Sequence, residues 1–443
     1  MGACRDGTYS MILLRLRLTA GVVGSVALTA VLLNAAGVTT AQAQDAVLGS
    51  SVQGLLDYAR ARSPDLEAMR LEAIAAAQRI GPAGAFPDPV LRVELMNINN
   101  YGTGAPVSLL PSRVGETKYT LMQTLPAWGK RGFRRDAASF DARQAEARSN
   151  AAWAELAARI KSAYAEYYRA AGNESITREV LVLLGRIEQV AQSRYAGGLA
   201  TQQDAIRAQL EQSAMQSELI ALDSEKRQLR VRLNALLGRD KAAALAEPRQ
   251  LRPLPALVSA DAAALEDRVR TGNPQFQAEL AKLAAAQKNR DLTWRNRYPD
   301  VQVGVAPSQM GSRITTVGLM VEVNIPLQQA TRRAQEGEAQ AMVGAAQSRV
   351  EALGNQLAGE LATNLAALEA ARRTERLVQS QLLPQSQLSL RSGQAAYENG
   401  KLEFSALLEA QRQIRKARQD LLKSQSEAQM RLADIERIIG DDL

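Results

Sequence analysis

Helical periodicity covers most of the chain and occurs in the same order in its two halves. Apolar residues recur at helical spacing over about 51–83 and, for a much longer stretch, over about 127–194. The same order of a short and then a long stretch returns at about 259–296 and 327–396. At 1.5 Å per residue, each long helix would extend about 100 Å if it were straight. The pattern predicts a mainly helical protein built from long helices.

Each short helical stretch is followed by two segments in which apolar and polar residues alternate. This period of two predicts strands of about the length that crosses a bilayer when tilted. Ordinary half-buried hairpins on a soluble domain are the alternative, but the rest of the chain offers no further strands for a soluble sheet. Four strands cannot close a membrane barrel, so we expect the strands of several chains to be pooled. The predicted strands lie at about 90–101, 115–125, 300–307 and 315–325.

The sequence predicts where the long helices are interrupted and where they end. We expect Gly172-Asn173 to interrupt the first and Pro384 to bend the second. Both end at a glycine turn, near 194–201 and 396–404, and a return helix follows. In the last return helix a strict seven-residue repeat predicts the seam of a left-handed coiled coil, formed by Leu407, Ile414, Leu421, Ala428 and Ile435.

Matching features recur 200 to 212 residues apart, which indicates a duplicated unit. Phe86-Pro87-Asp88 matches Tyr298-Pro299-Asp300, and the turn that begins at Tyr195 matches the turn that begins at Tyr397. We therefore divide the mature chain into two repeats joined by a proline-bearing connector. The first repeat covers residues 44–258, with the connector at 239–258, and the second covers residues 259–443.

Residues 1–43 have the pattern of an export signal. Arg15 and Arg17 precede an apolar stretch, and Ala41-Gln42-Ala43 supplies the small residues that signal peptidase accepts. An N-terminal membrane anchor is the alternative, because the apolar stretch is just long enough to span a bilayer. Either Met1 or Met11 can serve as the initiator.

The composition excludes much of enzyme chemistry. The 443 residues include no histidine and one cysteine, Cys4, which lies within the predicted signal. Catalytic triads that need histidine, and metal sites built on histidine, are therefore impossible. The formal net charge of +8 is spread over too many acidic and basic residues to favour nucleic-acid binding. We expect no catalytic residues, no metal site, no cofactor and no nucleic-acid partner.

In this order and at these spacings, the motifs resemble the TolC family of outer-membrane efflux ducts across essentially the whole mature chain. The motifs are the paired strands, the step from Leu125-Pro126 into a long helix, and the turn sequences 194–199 and 397–402. The resemblance implies a homotrimer in the bacterial outer membrane, with a twelve-stranded barrel on a helical periplasmic tunnel. It also implies a passive conduit whose tips dock on a periplasmic adaptor, a membrane fusion protein, linked to an inner-membrane pump of the resistance-nodulation-division type.

Residues near the turns carry the functional expectations of this resemblance. Asp204 and Tyr397 match positions that bind across neighbouring helices and hold the tunnel end shut, and Glu409 matches an acidic ring at the constriction. The family often has a further acid where Ala406 stands and sometimes a bracing arginine where Leu402 stands, so we expect a less acidic gate. The turn glycines suit a positive φ. The residues expected to dock the adaptor are Arg194, Tyr195, Gly197, Gly198, Leu199, Gly400, Lys401 and Leu402.

A basic cluster opens the first long helix, where positive charge opposes the helix macrodipole. Trp128 suits a membrane-interface belt, so we expect Trp128, Lys130 and Arg131 to anchor the chain at the phospholipid phosphates of the outer membrane. A solvated helix start is the alternative. Lys130 and Arg131, with Arg134-Arg135, also resemble the branch of the family that exports heavy-metal cations.

Three other functions compete with a metal-cation duct. A duct for drug efflux or for type I protein secretion has the same architecture and stays open as an alternative. A carboxylate-dependent periplasmic hydrolase needs the cleft of a globular domain, which the pattern does not provide. A cytosolic coiled-coil scaffold has no use for an export signal or for amphipathic strands.

Overall fold

The computed structural model describes residues 48–98, 107–255 and 262–443 and is mainly helical, with one small sheet. The predicted export signal lies outside the described residues. The first repeat contributes α1 (Val52–Arg62), α2 (Pro64–Gln78), α3 (Ile80–Gly84), α4 (Lys130–Ala196) and α5 (Gln202–Leu236). The second contributes α6 (Ala262–Gly272), α7 (Pro274–Arg295), α8 (Gln329–Leu377), α9 (Leu383–Glu398) and α10 (Phe404–Ile439).

The first helical stretch of each repeat consists of consecutive helices that are separated at a residue before proline. Ser63 and Asn273 are extended, with ψ near 119° and 117°, and the next helix begins at Pro64 or Pro274. A residue before proline is pushed out of the helical region by the proline ring. The side chain of Asn273 then caps the new helix by accepting a hydrogen bond from the N–H of Phe276 at 2.8 Å.

The prediction that Gly172-Asn173 interrupts the first long helix was wrong. α4 runs through both residues without a break over 67 residues. A Cβ at Gly172 would meet the Leu422 side chain at 2.6 Å, so the glycine allows α10 to approach closely. In the second long helix, a π-helical turn over Val378–Leu382 ends two residues before Pro384, which lacks the N–H of the regular helical ladder.

The sheet has four antiparallel strands in the order β1-β2-β3-β4. They are β1 (Val90–Met96), β2 (Glu116–Leu125), β3 (Val301–Met310) and β4 (Arg313–Val323). The first ends at Met96, because Asn97 has a φ of 55°, outside the region of regular strands. Residues 99–101 of the predicted strand lie outside the described residues. The last two extend closer to each other than predicted and meet at a tight turn, with Gly311 at a φ of 60°.

One face of this sheet is apolar and exposed. In the register of the four strands, Leu91 lies opposite Leu121, Leu121 opposite Val305, and Val305 opposite Leu319. These four side chains are between 46% and 86% exposed. Side chains of a strand alternate between the two faces, so this apolar row belongs to a single surface.

The helices pack along α4, which lies against α2, α5, α7 and α10. The coiled-coil seam of α10 is mostly interior, because Leu407, Ile414, Ala428 and Ile435 are buried and Leu421 is half-buried. A buried ionic cluster joins the end of α10 to α4 and to the connector. Lys161 donates to Glu436 at 2.7 Å, and both terminal nitrogens of Arg252 donate to the same carboxylate at 2.9 and 3.0 Å.

Candidate functional site

The two helix-reversing turns have the same backbone. In the first, between α4 and α5, the N–H of Leu199 donates to the carbonyl of Arg194 at 2.8 Å. In the second, between α9 and α10, the N–H of Lys401 donates to the carbonyl of Ala396 at 2.8 Å. A hydrogen bond of this span closes a Schellman motif, which satisfies carbonyls at a helix C-terminus. The two tips thus end their helices in the same way, one in each repeat.

Two of the three predicted turn glycines have the backbone that favours glycine. Gly198 and Gly400 have φ values of 70° and 72°, in the left-handed region. Gly197 does not share this need, because its φ is −83° and a Cβ would meet only ordinary contacts. The prediction of a positive φ is therefore wrong for Gly197.

Arg194 connects the two tips within one chain. Its guanidinium donates to the backbone carbonyls of Tyr397 and Glu398, the latter at 3.1 Å, and to Leu199 O at 3.1 Å. It also lies 4.8 Å from the centroid of the Tyr397 ring, within cation–π range. A Cβ at Gly400 would come within 3.3 Å of a terminal nitrogen of Arg194. Sequence reasoning placed Arg194 at the tip but missed this inter-tip contact.

The structure brings Asp204 and Tyr397, two of the predicted gate residues, to one cavity of about 550 Å³ between the tips. Tyr397 is 3% exposed and packs edge-to-face on Phe404, with ring centroids 5.5 Å apart. Its hydroxyl has no hydrogen-bond partner within the described residues. Burial, together with the negative charge of Asp204, raises the pKa of Tyr397 above the ordinary value for tyrosine, and Arg194 opposes that shift.

Glu409, the third predicted gate residue, lies apart from this cavity. It is on the exposed side of α10, where its carboxylate accepts a hydrogen bond from Gln413 at 3.3 Å. Its neighbours Leu408 and Ala410 are buried. Glu409 is thus available to solvent or to a second chain.

The remaining tip residues differ in exposure. Tyr195 is 49% exposed and Leu199 is 71% exposed, although both are large and apolar. Lys401 is exposed as well, whereas Leu402 is half-buried against the tip core. That core includes Phe404, which the sequence did not single out. Its position directly after the second turn was the available signal.

At the opposite end of α4, the structure corrects part of the predicted lipid anchor. Lys130 is buried, with a side chain 4% exposed, and its ammonium donates to Asp300 and to the carbonyl of Tyr298, both at 2.8 Å. It therefore joins the two repeats below the sheet and does not face lipid phosphates. Burial disfavours the Asp300 anion, but the hydrogen bonds from Lys130 and from the Ala127 N–H outweigh it and lower the pKa of Asp300.

The other two predicted anchor residues stay at the surface. Trp128 is 92% exposed. Arg131 is half-buried and donates through Nε to the Gly84 carbonyl at 2.8 Å, while its guanidinium lies 3.4 Å from the centroid of the Phe86 ring. Trp128 and Arg131 therefore remain candidates for the membrane anchor, whereas Lys130 does not.

A family model described as outer membrane efflux protein matches residues 55–239 and 265–441. The chain belongs to this family. Outer membrane efflux proteins are passive outer-membrane channels and not enzymes. The family that the sequence motifs resembled is thereby confirmed. None of the helices in the three described ranges has the length and apolar character needed to cross a bilayer.

Several solved structures have a similar fold. The outer-membrane channel OprN is 19% identical, with 88% of this chain and 89% of OprN covered and a TM-score of 0.76. VceC from Vibrio cholerae is 20% identical, with coverage of 88% and 96% and a TM-score of 0.74. CusC is 18% identical, with coverage of 88% and 92% and a TM-score of 0.75. The predicted fold class is confirmed, and a comparison with curated proteins gives no match.

Proposed function

We propose that this outer membrane efflux protein is the exit duct of a tripartite efflux system. Three copies form the duct, which passively conducts substrate from a periplasmic adaptor and an inner-membrane pump of the resistance-nodulation-division type to the exterior. The barrel lies in the outer membrane and the helices form a tunnel in the periplasm.

The observation that carries this proposal is the exposed apolar row on a sheet with two open borders. Within the described residues, β1 pairs only with β2, and β4 pairs only with β3. A strand border inside lipid would leave N–H and carbonyl groups unpaired, at a cost of several kcal/mol for each group. Pairing of β4 with β1 of the next copy removes both borders, and twelve strands in a ring turn the apolar row towards lipid.

The tips support the adaptor and gate roles. Tyr195 and Leu199 present apolar surface at the end of a helical hairpin, which suits packing against another helical hairpin. Arg194, Gly197, Gly198, Gly400, Lys401 and Leu402 complete the same end. Asp204 and Tyr397 line the cavity between the tips, where a hydrogen bond to the buried hydroxyl would hold neighbouring helices together.

The cargo in this proposal is a heavy-metal cation. Threefold symmetry makes Glu409 a ring of three carboxylates, and such a ring attracts cations and repels anions. The basic cluster that begins at Lys130 resembles the metal-cation branch. Deletion of the gene in its native bacterium should lower tolerance to copper, zinc, cobalt or cadmium. Sensitivity to drugs alone, or loss of a secreted polypeptide, would favour the alternative ducts.

Single-channel recording in planar bilayers tests the conduit itself. The purified protein should have the mass of three copies and conduct ions with a preference for cations. Glu409→Gln should reduce that preference, whereas Glu427→Gln, which removes a charge further along α10, serves as the matched control. An unchanged preference in Glu409→Gln removes Glu409 from the gate, and a single-copy protein without conductance overturns the proposed duct.

A further inference from the structure

A cavity of about 470 Å³ lies directly below the sheet, beside the start of α4. Its lining includes Phe86, Pro126, Trp128, Arg131 and Arg135, and it contains two cationic side chains and no carboxylate. Lys130 already pairs with Asp300. The two arginines are therefore the cationic side chains that line this cavity.

Arg131 is held in position before any ligand arrives. The carbonyl of Gly84 accepts a hydrogen bond from its Nε at 2.8 Å, and the Phe86 ring covers one face of the guanidinium. Neither contact neutralises its positive charge. A planar guanidinium fixed in this way presents its terminal nitrogens as a fork, the arrangement that recognises phosphate oxygens.

Arg135 adds a second charge one helical turn later. It is exposed, and its stem packs against Gly84, where a Cβ would meet the Arg135 Cβ at 3.1 Å. Within the described ranges, its guanidinium makes no ion pair with a carboxylate. Two unneutralised arginines on one cavity create a local positive potential that favours an anion.

The surroundings indicate which anion. β2 ends at Leu125, whose exposed side chain belongs to the apolar face, and Trp128 follows three residues later. An exposed indole at the end of an apolar strand face is typical of the boundary between hydrocarbon and headgroups. Phosphate groups of phospholipids lie at that level.

We propose that this cavity binds the phosphate of a phospholipid headgroup, with Arg131 and Arg135 as its ligands and Trp128 against the glycerol region. The site rests on the proposed outer-membrane location. Lipid retention and ion conduction are measured separately, so failure of the site can be distinguished from failure of the duct.

Native mass spectrometry of the full-length protein in detergent tests the site. Phosphatidylglycerol is the probe, diacylglycerol with the same chains lacks the phosphate, and inorganic phosphate lacks the chains. The wild type should retain phosphatidylglycerol and not diacylglycerol. Each arginine near a lipid surface contributes about 1 kcal/mol, so Arg131→Gln with Arg135→Gln should weaken retention about 30-fold.

Arg134→Gln is the matched control, because Arg134 is exposed on the same turn and does not line the cavity. It should retain phosphatidylglycerol within about twofold of the wild type. The single variant Arg135→Gln, expected to lose about fivefold, keeps the test valid if the double variant does not assemble. Equal retention by the wild type, the double variant and Arg135→Gln overturns the site.

Two further outcomes also overturn the proposal. Equal retention of diacylglycerol would show binding through acyl chains, and displacement of the lipid by equimolar inorganic phosphate would show a site for the free ion. Conductance is recorded on the same preparations. A protein that binds the lipid but does not conduct contradicts the duct and leaves the site in place. A conducting variant without lipid binding confirms that the two are separate.

Discussion

The two tips share a backbone and differ in what their side chains do. Both close with a Schellman hydrogen bond and a glycine in the left-handed region, Gly198 in one and Gly400 in the other. The equivalent tyrosines are nevertheless opposite in environment, since Tyr195 is half exposed and Tyr397 is buried in the tip core. Arg194 has no charged equivalent in the second tip, where Ala396 occupies that position.

The two tips therefore have different structural roles. The second tip is fixed from inside, by Tyr397 against Phe404, and from outside, by Arg194 on its carbonyls. The first tip supplies that arginine and leaves its own large side chains in solvent. The first tip therefore holds the second in place and also presents the exposed surface suited to a partner.

Removal of the buried tyrosine, Tyr397, should cause the largest difference in stability between the two tips. Tyr397→Ala leaves a cavity in the tip core and should lower the free energy of local opening by about 3–5 kcal/mol. Tyr195→Ala, at the equivalent exposed position, should cost less than about 1 kcal/mol. Hydrogen exchange of the tip amides in graded urea measures both. Similar losses in the two variants would show that the tips do not differ as described.

Loss of the inter-tip contact comes next. Arg194→Ala removes charge-assisted hydrogen bonds to the second tip and should destabilise it by about 2 kcal/mol. Arg194→Lys keeps the charge but not the planar fork, so it should recover only part of the loss. Arg391→Ala removes an exposed arginine of α9 and serves as the control. Spin labels on the two tips should report a broader distance distribution in Arg194→Ala, a smaller broadening in Arg194→Lys and no change in Arg391→Ala.

Substitutions of the turn glycines should change the stability of the two tips by smaller amounts. Gly400→Ala forces a Cβ into the left-handed region and towards Arg194, and should cost about 1–2 kcal/mol. Gly197→Ala has an ordinary φ and should be neutral or stabilising by about 0.4–1 kcal/mol. Urea-dependent exchange of the amides after each turn distinguishes them, and equal costs would contradict the assigned backbone roles.

The smallest expected effect is a pH dependence confined to the second tip. The raised pKa of Tyr397 means that its folded state keeps the phenol proton longer than the unfolded chain does. The resulting stability is fully present below the ordinary tyrosine pKa of about 10 and is lost as pH rises through the raised value. Asp204→Asn should bring that pKa back towards the ordinary value. Alkaline absorbance titration, with Tyr397→Phe as reference, checks the sign.

Much of this architecture could be predicted because hydrophobic periodicity and turn residues are local signals. The alternation of Val317, Leu319 and Val321 and the glycine at each turn specified strands and reversals from neighbouring residues alone. The continuity of α4 through Gly172 could not be predicted from neighbouring residues. Gly172 makes room for the side chain of Leu422, which lies about 250 positions away in sequence. The same limit applies to Lys130, whose partner Asp300 belongs to the other repeat.

The open borders of the sheet bear on the biogenesis of the protein. In the proposed outer-membrane trimer, a copy that has not yet assembled exposes two unpaired strand edges and an apolar sheet face, and both promote aggregation. Pairing of β1 with β4 of the next copy would remove both hazards at once, so assembly would compete directly with aggregation. The yield of complete ducts would then depend on how fast three copies meet relative to the rate of aggregation.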